Sequence, residues 1–343
     1  MADGKLTGDF NAGKNPVSAS EFDRAIFNQD VERLQELIAA LKMPKEQKVD
    51  FLTTELRKAC ALVYHGTIDI GIIDALIDAG GKVNQPQGRD ASPFGIICQS
   101  DDVTVLRHMI KRGADVNADV NIDQFGCAKP LHFACGHSQN PEIVKELLNN
   151  RANPNAKGFF GQTPLHMAAA AHPKKSRDGQ TADRTPVVDL LLKNGAKIDA
   201  VDKWEHTPLL SLIAHSPDAK VAEKLIDEGA SLKHVSPTDG SPLHMAAERG
   251  LHEIVGLLIR KGAPLLLKNA QGRTPTQHAK EHLEGMRKSA EEAPAPAAKP
   301  SDIGPSNSKP GVNFGKVLQS LEEAEKLLGN RGVRNMIKRK FGR

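Results

Sequence analysis

Gly161-Gln162-Thr163-Pro164-Leu165-His166-Met167-Ala168-Ala169 is the stretch from which the rest of the chain can be read. Versions of it return as Lys129-Pro130-Leu131-His132 upstream and as Thr207-Pro208-Leu209-Leu210, Ser241-Pro242-Leu243-His244 and Thr274-Pro275-Thr276-Gln277 downstream, with a weaker copy at Ser92-Pro93-Phe94. The prolines stand at 93, 130, 164, 208, 242 and 275, so the steps are 37, 34, 44, 34 and 33 residues. A second phrase keeps the same interval: Gly80-Gly81, Gly113-Ala114, Arg151-Ala152, Gly195-Ala196, Gly229-Ala230 and Gly262-Ala263. Proline suits the first turn of a helix, where its missing N–H costs nothing. The Ser or Thr before it can cap the exposed amides. Leu-His-x-Ala-Ala then makes a short helix with one small-residue side, which a neighbour can approach closely. A second helix carries the larger apolar load: Ile143, Val144, Leu147 and Leu148 share one face, as do Ile254, Val255, Leu258 and Ile259. The glycine of the second phrase supplies the left-handed residue that closes a helix. No such unit buries its own apolar face, so the units must stack.

An interval near 33 residues with a Thr-Pro-Leu-His-x-Ala core is similar to that of the ankyrin-repeat family. The resemblance covers roughly residues 50–285. It implies an all-α solenoid of about seven or eight stacked helix-turn-helix units with short β-turn fingers. It also implies non-catalytic work, the binding of another protein on the concave face.

Composition agrees with intracellular recognition. No apolar run approaches the length of a membrane span, and the first twenty residues lack the apolar core of a secretory signal. Cys60, Cys98, Cys127 and Cys135 are too few and too scattered for a disulfide framework, which fits a reducing cytoplasm. Net charge is +4, yet Arg331, Arg334, Lys338, Arg339, Lys340 and Arg343 put six cations and no acid into the last thirteen residues. The basicity therefore belongs to the tail.

Taken in order, residues 1–17 read as a flexible arm and 18–50 as a helix pair capping the stack, with 43–50 a polar connector. Residues 51–288 form the repeat array, 289–311 a Pro/Ala linker, and 312–343 an amphipathic, basic helical segment. The long 44-residue step marks an insertion over 173–184 between two helices of one repeat. The charged run Glu281–Glu292 is expected to close the far end as a polar cap.

Cys127, His132, Cys135 and His137 lie within eleven residues and invite a zinc reading. However, His132 holds the repeat's own histidine position, shared with His166 and His244, where a bond to neighbouring backbone is expected. No metal and no cofactor is therefore assigned. No Gly-x-Ser-x-Gly and no phosphate loop occurs, and His172, His206 and His215 have no partner at a catalytic spacing. The chain reads as no enzyme, with no small-molecule substrate.

The sharper signal is at the fingers. Counting back from each repeat proline places Phe125, Phe159 with Phe160, and Trp204 on successive fingers, in a chain with eleven Phe, one Tyr and one Trp. Exposed aromatics there suit a protein-binding hot spot, because each buries much area with few rotors. Lys203, Glu205 and His206 would form the polar rim. His137, Ala171 and His215, at the ends of first helices, are placed on the same concave side. The expected partner is a protein, met by a monomer. Two other readings stand. The tail can bind nucleic acid or an anionic membrane, or act as a nuclear address. The Glu322-Glu323-Ala324-Glu325 cluster is similar to acidic patches in C-terminal signals of bacterial secreted effectors, which would place the solenoid on a protein in a host cytosol.

Overall fold

The computed structural model describes residues 18–63, 66, 68–86, 90–123, 126–138, 140–172, 182–292 and 313–329. The chain divides into two compact units at Phe160/Gly161. Each is a stack of helical pairs, with inner helices packed on inner and outer on outer.

In the first unit, α1 (Ala19–Phe27) and α2 (Val31–Ala40) form the opening pair, and α3 (Lys45–Leu62) and α4 (Ile70–Asp78) the next. α1 lies on α3 and α2 on α4, as one repeat lies on another. Phe22, fully buried, meets Phe51 edge to face at 4.9 Å between ring centres. The polar connector expected at 43–50 is not one: α3 begins at Lys45, just after Pro44, whose carbonyl accepts the Lys48 amide. Its first turns, Lys-Glu-Gln-Lys, favour helix but carry no apolar side chain, so they leave no periodic mark. α5 (Pro93–Gln99) and α6 (Val103–Lys111) follow, then the hairpin of β1 (Asn121–Asp123) and β2 (Gly126–Ala128). The unit ends with α7 (Pro130–Phe133), which runs into a π-helical turn at Ala134–Ser138, and α8 (Pro141–Asn149).

The second unit alternates the inner helices α9 (Pro164–Ala170), α11 (Pro208–His215), α13 (Pro242–Glu248) and α15 (Pro275–Glu292) with the outer helices α10 (Thr185–Lys193), α12 (Ala219–Asp227) and α14 (His252–Arg260). α16 (Phe314–Gly329) packs on α14 and α15, beside α14 where the next outer helix belongs. The Asn313 amide donates to the Gly250 carbonyl at 2.8 Å, which brings the first turns of α16 and α14 together. Val317 and Leu321 are fully buried, Thr276 donates to Glu325 at 2.7 Å, and Lys280 pairs with Glu322 at 2.7 Å. Two acids of the cluster, Glu322 and Glu325, thus face α15, while Glu323 accepts from Gln319 of its own helix. The last array layer is α15 with α16, rather than a charged helix end.

Side-chain oxygens that accept backbone amides tie successive repeats. Asn84 Oδ1 accepts the Asp115 amide and Asn117 Oδ1 the Asn153 amide, at 3.0 and 2.9 Å. In the second unit Asp199 Oδ1 accepts the Ser231 amide at 2.9 Å. On the outer helices Lys224 bridges Asp189 and Glu228, and Lys261 bridges Glu223 and Asp227. Solvent-exposed pairs of this kind add little stability each. The core is the apolar seam between the two helical layers, filled by residues such as Leu106, Leu147, Leu209 and Leu258.

Candidate functional site

The repeat histidines build the platform on which the fingers stand. His166 Nδ1 accepts the Thr163 amide at 3.1 Å, and its Nε2 lies 2.9 Å from the His206 carbonyl. A carbonyl only accepts, so the proton is on Nε2. His244 repeats this, with Nδ1 taking the Ser241 amide and Nε2–H donating to the Arg273 carbonyl at 2.8 Å. Burial holds both imidazoles below the usual histidine pKa, and so neutral. In the first unit His132 Nδ1 accepts the Lys129 amide at 3.2 Å. His132 also supports a finger directly: a Cβ on Gly158 would lie 2.8 Å from its ring, so only glycine lets that segment approach. The bond to neighbouring backbone expected of these histidines is present. Among the described residues no three His, Cys, Asp or Glu side chains gather as a metal site. Cys135 is fully buried, and Asp119 accepts a hydrogen bond from the Cys127 thiol, which raises that thiol's pKa.

The finger residues differ in their settings. Phe125 lies outside the described residues, as do 173–181 of the insertion and all six tail cations. Phe159 and Phe160 are half-buried, and Phe160 has a left-handed φ of 55°. His137 is exposed and stacks on Phe133, 5.8 Å between centres. Trp204 is 41% exposed, with Lys203 Nζ 5.1 Å from its ring centre, a surface cation–π contact. Its backbone is tightly held. Asp202 Oδ1 accepts the Trp204 and His206 amides at 2.8 and 3.0 Å. Ser236 donates to the Trp204 carbonyl at 3.3 Å, and His234 to the Glu205 carbonyl at 2.7 Å. Glu205 has φ 59° where the corresponding residue of another finger is Gly272, φ 74°. The finger is therefore rigid, while the ring at its tip faces water.

Two assigned contacts change role. Ala171 is 8% exposed, and its carbonyl accepts from Arg184, so it offers no side-chain surface. His206 is a strut: its Nε2 pairs with Asp239 Oδ2 at 2.8 Å and its side chain is only 13% exposed. Arg184 was not anticipated. It closes the insertion, is 1% exposed, and donates to the Ala169, Ala171 and Ser216 carbonyls and to Asp218.

His215 does open on a cleft, of about 740 Å3, which the sequence did not announce. Asp239 and Glu248 line it, but both are engaged within the protein. Glu248 accepts from His278 at 3.0 Å, a bond that lowers its pKa. Burial would raise the Asp239 pKa, but hydrogen bonds from Thr238 and His206 bring it below its ordinary value. The signal for the cleft was available. His137, Ala171 and His215 each lie seven residues past a repeat proline, and the same count from Pro242 and Pro275 lands on Arg249 and His282. Both line this cleft.

Stacked helix pairs, hydrogen-bonded fingers and a histidine platform define a helical repeat protein. The family model for ankyrin repeats (3 copies) matches residues 94–202, 131–233 and 179–269, and the chain belongs to the ankyrin-repeat family. It is similar to the ankyrin repeat protein YahD of Escherichia coli (strain K12), 35% identical over 161 residues, covering 46% of this chain and 73% of that protein. It is also similar to the B-cell lymphoma 3 protein homolog of Mus musculus, 30% identical over 181 residues, covering 51% of this chain but only 37% of that one. The crystal structure of the human ASB11 ankyrin repeat domain superposes with a TM-score of 0.53 at 26% identity, over 70% of this chain and 98% of that one.

Proposed function

We propose that this ankyrin protein is a non-catalytic scaffold that holds a protein partner on its finger and inner-helix face, with Trp204 as an anchor. The observation that carries this is the contrast at one finger. The Trp204 backbone is fixed by Asp202, Ser236 and a bond to the next residue from His234, while the residue is 41% exposed. A surface already held in its binding geometry loses little entropy when a partner docks. The left-handed backbone at Glu205 is consistent with a local cost tolerated to present the ring.

The test is affinity capture with the full chain, with Trp204→Ala, and with a chain lacking 330–343. Trp204→Ala should weaken partner binding by about 2 kcal/mol or more and leave the thermal midpoint in place. Equal capture by wild type and Trp204→Ala would overturn the assignment. Capture lost instead on removing 330–343, and falling steeply with salt, would assign binding to the basic tail.

A further inference from the structure

The second unit's cleft has a chemistry of its own. His215, Arg249 and His282 occupy the same position in three successive repeats, seven residues past prolines 208, 242 and 275. The row holds no acid. The acids that border it are already engaged, Glu248 by His278 and, at 3.9 Å, by Nε2 of His282 itself, and Asp239 by His206. Arg249 is exposed and makes no side-chain hydrogen bond or ion pair among the described residues. His282 presents a buried Nδ1 that has no hydrogen-bond partner among the described residues. Beside His282 the cleft is apolar. Met286 is 49% exposed, and Phe314, whose ring centre is 6.0 Å from that of His282, brings the start of α16 to the cleft. An occupant must therefore answer one unpaired cation, Arg249, and thioether and ring surface in the same cleft.

We infer that this cleft is a docking site for a peptide segment that carries a carboxylate beside a bulky apolar side chain. The inference rests on the scaffold reading above and names the partner's chemistry. A carboxylate reaching Arg249 gains a charge-assisted bond, and a bidentate one if it meets the guanidinium in plane. The apolar residue next to it covers Met286 and Phe314, which removes both from water. A basic segment would set its own cations against Arg249, and like charges juxtaposed at an interface oppose binding strongly. His206–Asp239 links the cleft to the finger that bears Trp204, so one extended segment can engage both.

The experiment pans the immobilised full-length chain with a random dodecapeptide display library. Enriched peptides are then titrated against wild type, Arg249→Gln, Arg249→Glu and Trp204→Ala. Arg249 is exposed, so the variants should keep the wild-type thermal midpoint, which is checked first. The expected result is enrichment of Asp or Glu near Phe, Leu or Met. Affinity should drop by about tenfold in Arg249→Glu and less in Arg249→Gln, and should weaken as salt is added. No enrichment, enrichment without acids, or equal binding by wild type and Arg249→Glu overturns the acidic-peptide assignment. If Trp204→Ala loses binding in that last case, the scaffold reading survives alone. If neither variant matters, both fall.

Discussion

The His166 imidazole donates from Nε2 to the backbone carbonyl of His206, 2.9 Å away and forty residues along the chain. One side chain thus caps its own helix through Nδ1 and holds the next finger through Nε2. His166→Ala removes both bonds, leaves the His206 carbonyl with the Asp202 amide as its remaining donor and opens a void in a fully buried site. The expected loss is about 2–3 kcal/mol of unfolding free energy. Urea unfolding followed by Trp204 fluorescence measures it, since Trp204 is the chain's single tryptophan and stands on that finger. A loss under about 0.5 kcal/mol would mean the bond is incidental.

The same imidazoles set a pH dependence. Burial lowers the His166 and His244 pKa values in the folded protein, so near pH 6.5 the unfolded chain binds more protons than the folded one. Their contribution is complete above about pH 6.5 and is lost as pH falls below it. The lowered carboxylates Glu248 and Asp239 act only below about pH 4.5. Glu55, raised by burial, works in the opposite sense but belongs to the first unit. Thermal midpoints read through Trp204 should therefore drop between about pH 7.5 and 5.5. A flat profile would show that the histidines protonate in the fold without penalty.

The fold was legible because its determinants are local and repeated: Pro at a helix start, histidine three residues after the cap, Gly at a helix end. What escaped notice departs from the repeat. Arg151 and Glu205 adopt left-handed φ values of 66° and 59° where glycine stands in sister repeats, and no property of Arg or Glu advertises that. Arg184 reads as one more cation in a polar insertion, yet tertiary contacts bury it. Trp204 could be found by counting, and Arg249 as well, had the count run on to the later repeats. The cleft's contact with Phe314 could not. Phe314 reaches it only because α16 returns to the stack across the intervening segment 293–312.

Arg184 offers a sharp test of buried charge. Its guanidinium meets three carbonyls and Asp218 at 1% exposure, which joins the end of α9 to the loop between α11 and α12. Arg184→Ala should cost about 3 kcal/mol, because the carbonyls lose their donors within a closed site. Arg184→Lys should recover little of this, since an ammonium lacks the planar fork that reaches several acceptors at once. Paired unfolding curves decide: a lysine variant equal to wild type would show that charge alone suffices.

The last prediction concerns α16. If it closes the array as the outer helix of the final repeat, its buried side chains stabilise α14 and α15. If it merely rests on the surface, they do not. Val317 and Leu321 are fully buried, whereas Leu327, on the same helix, is 51% exposed. Leu321→Ala should therefore destabilise that end by about 2–4 kcal/mol, and Leu327→Ala by less than about 0.5 kcal/mol. In a stacked array the loss stays near the altered layer, because each repeat contacts only its neighbours. Hydrogen exchange should accordingly speed up in α14 and α15 of Leu321→Ala, while the amides of α9 keep their protection. Unchanged exchange in α14 would show that the stack is complete without this helix.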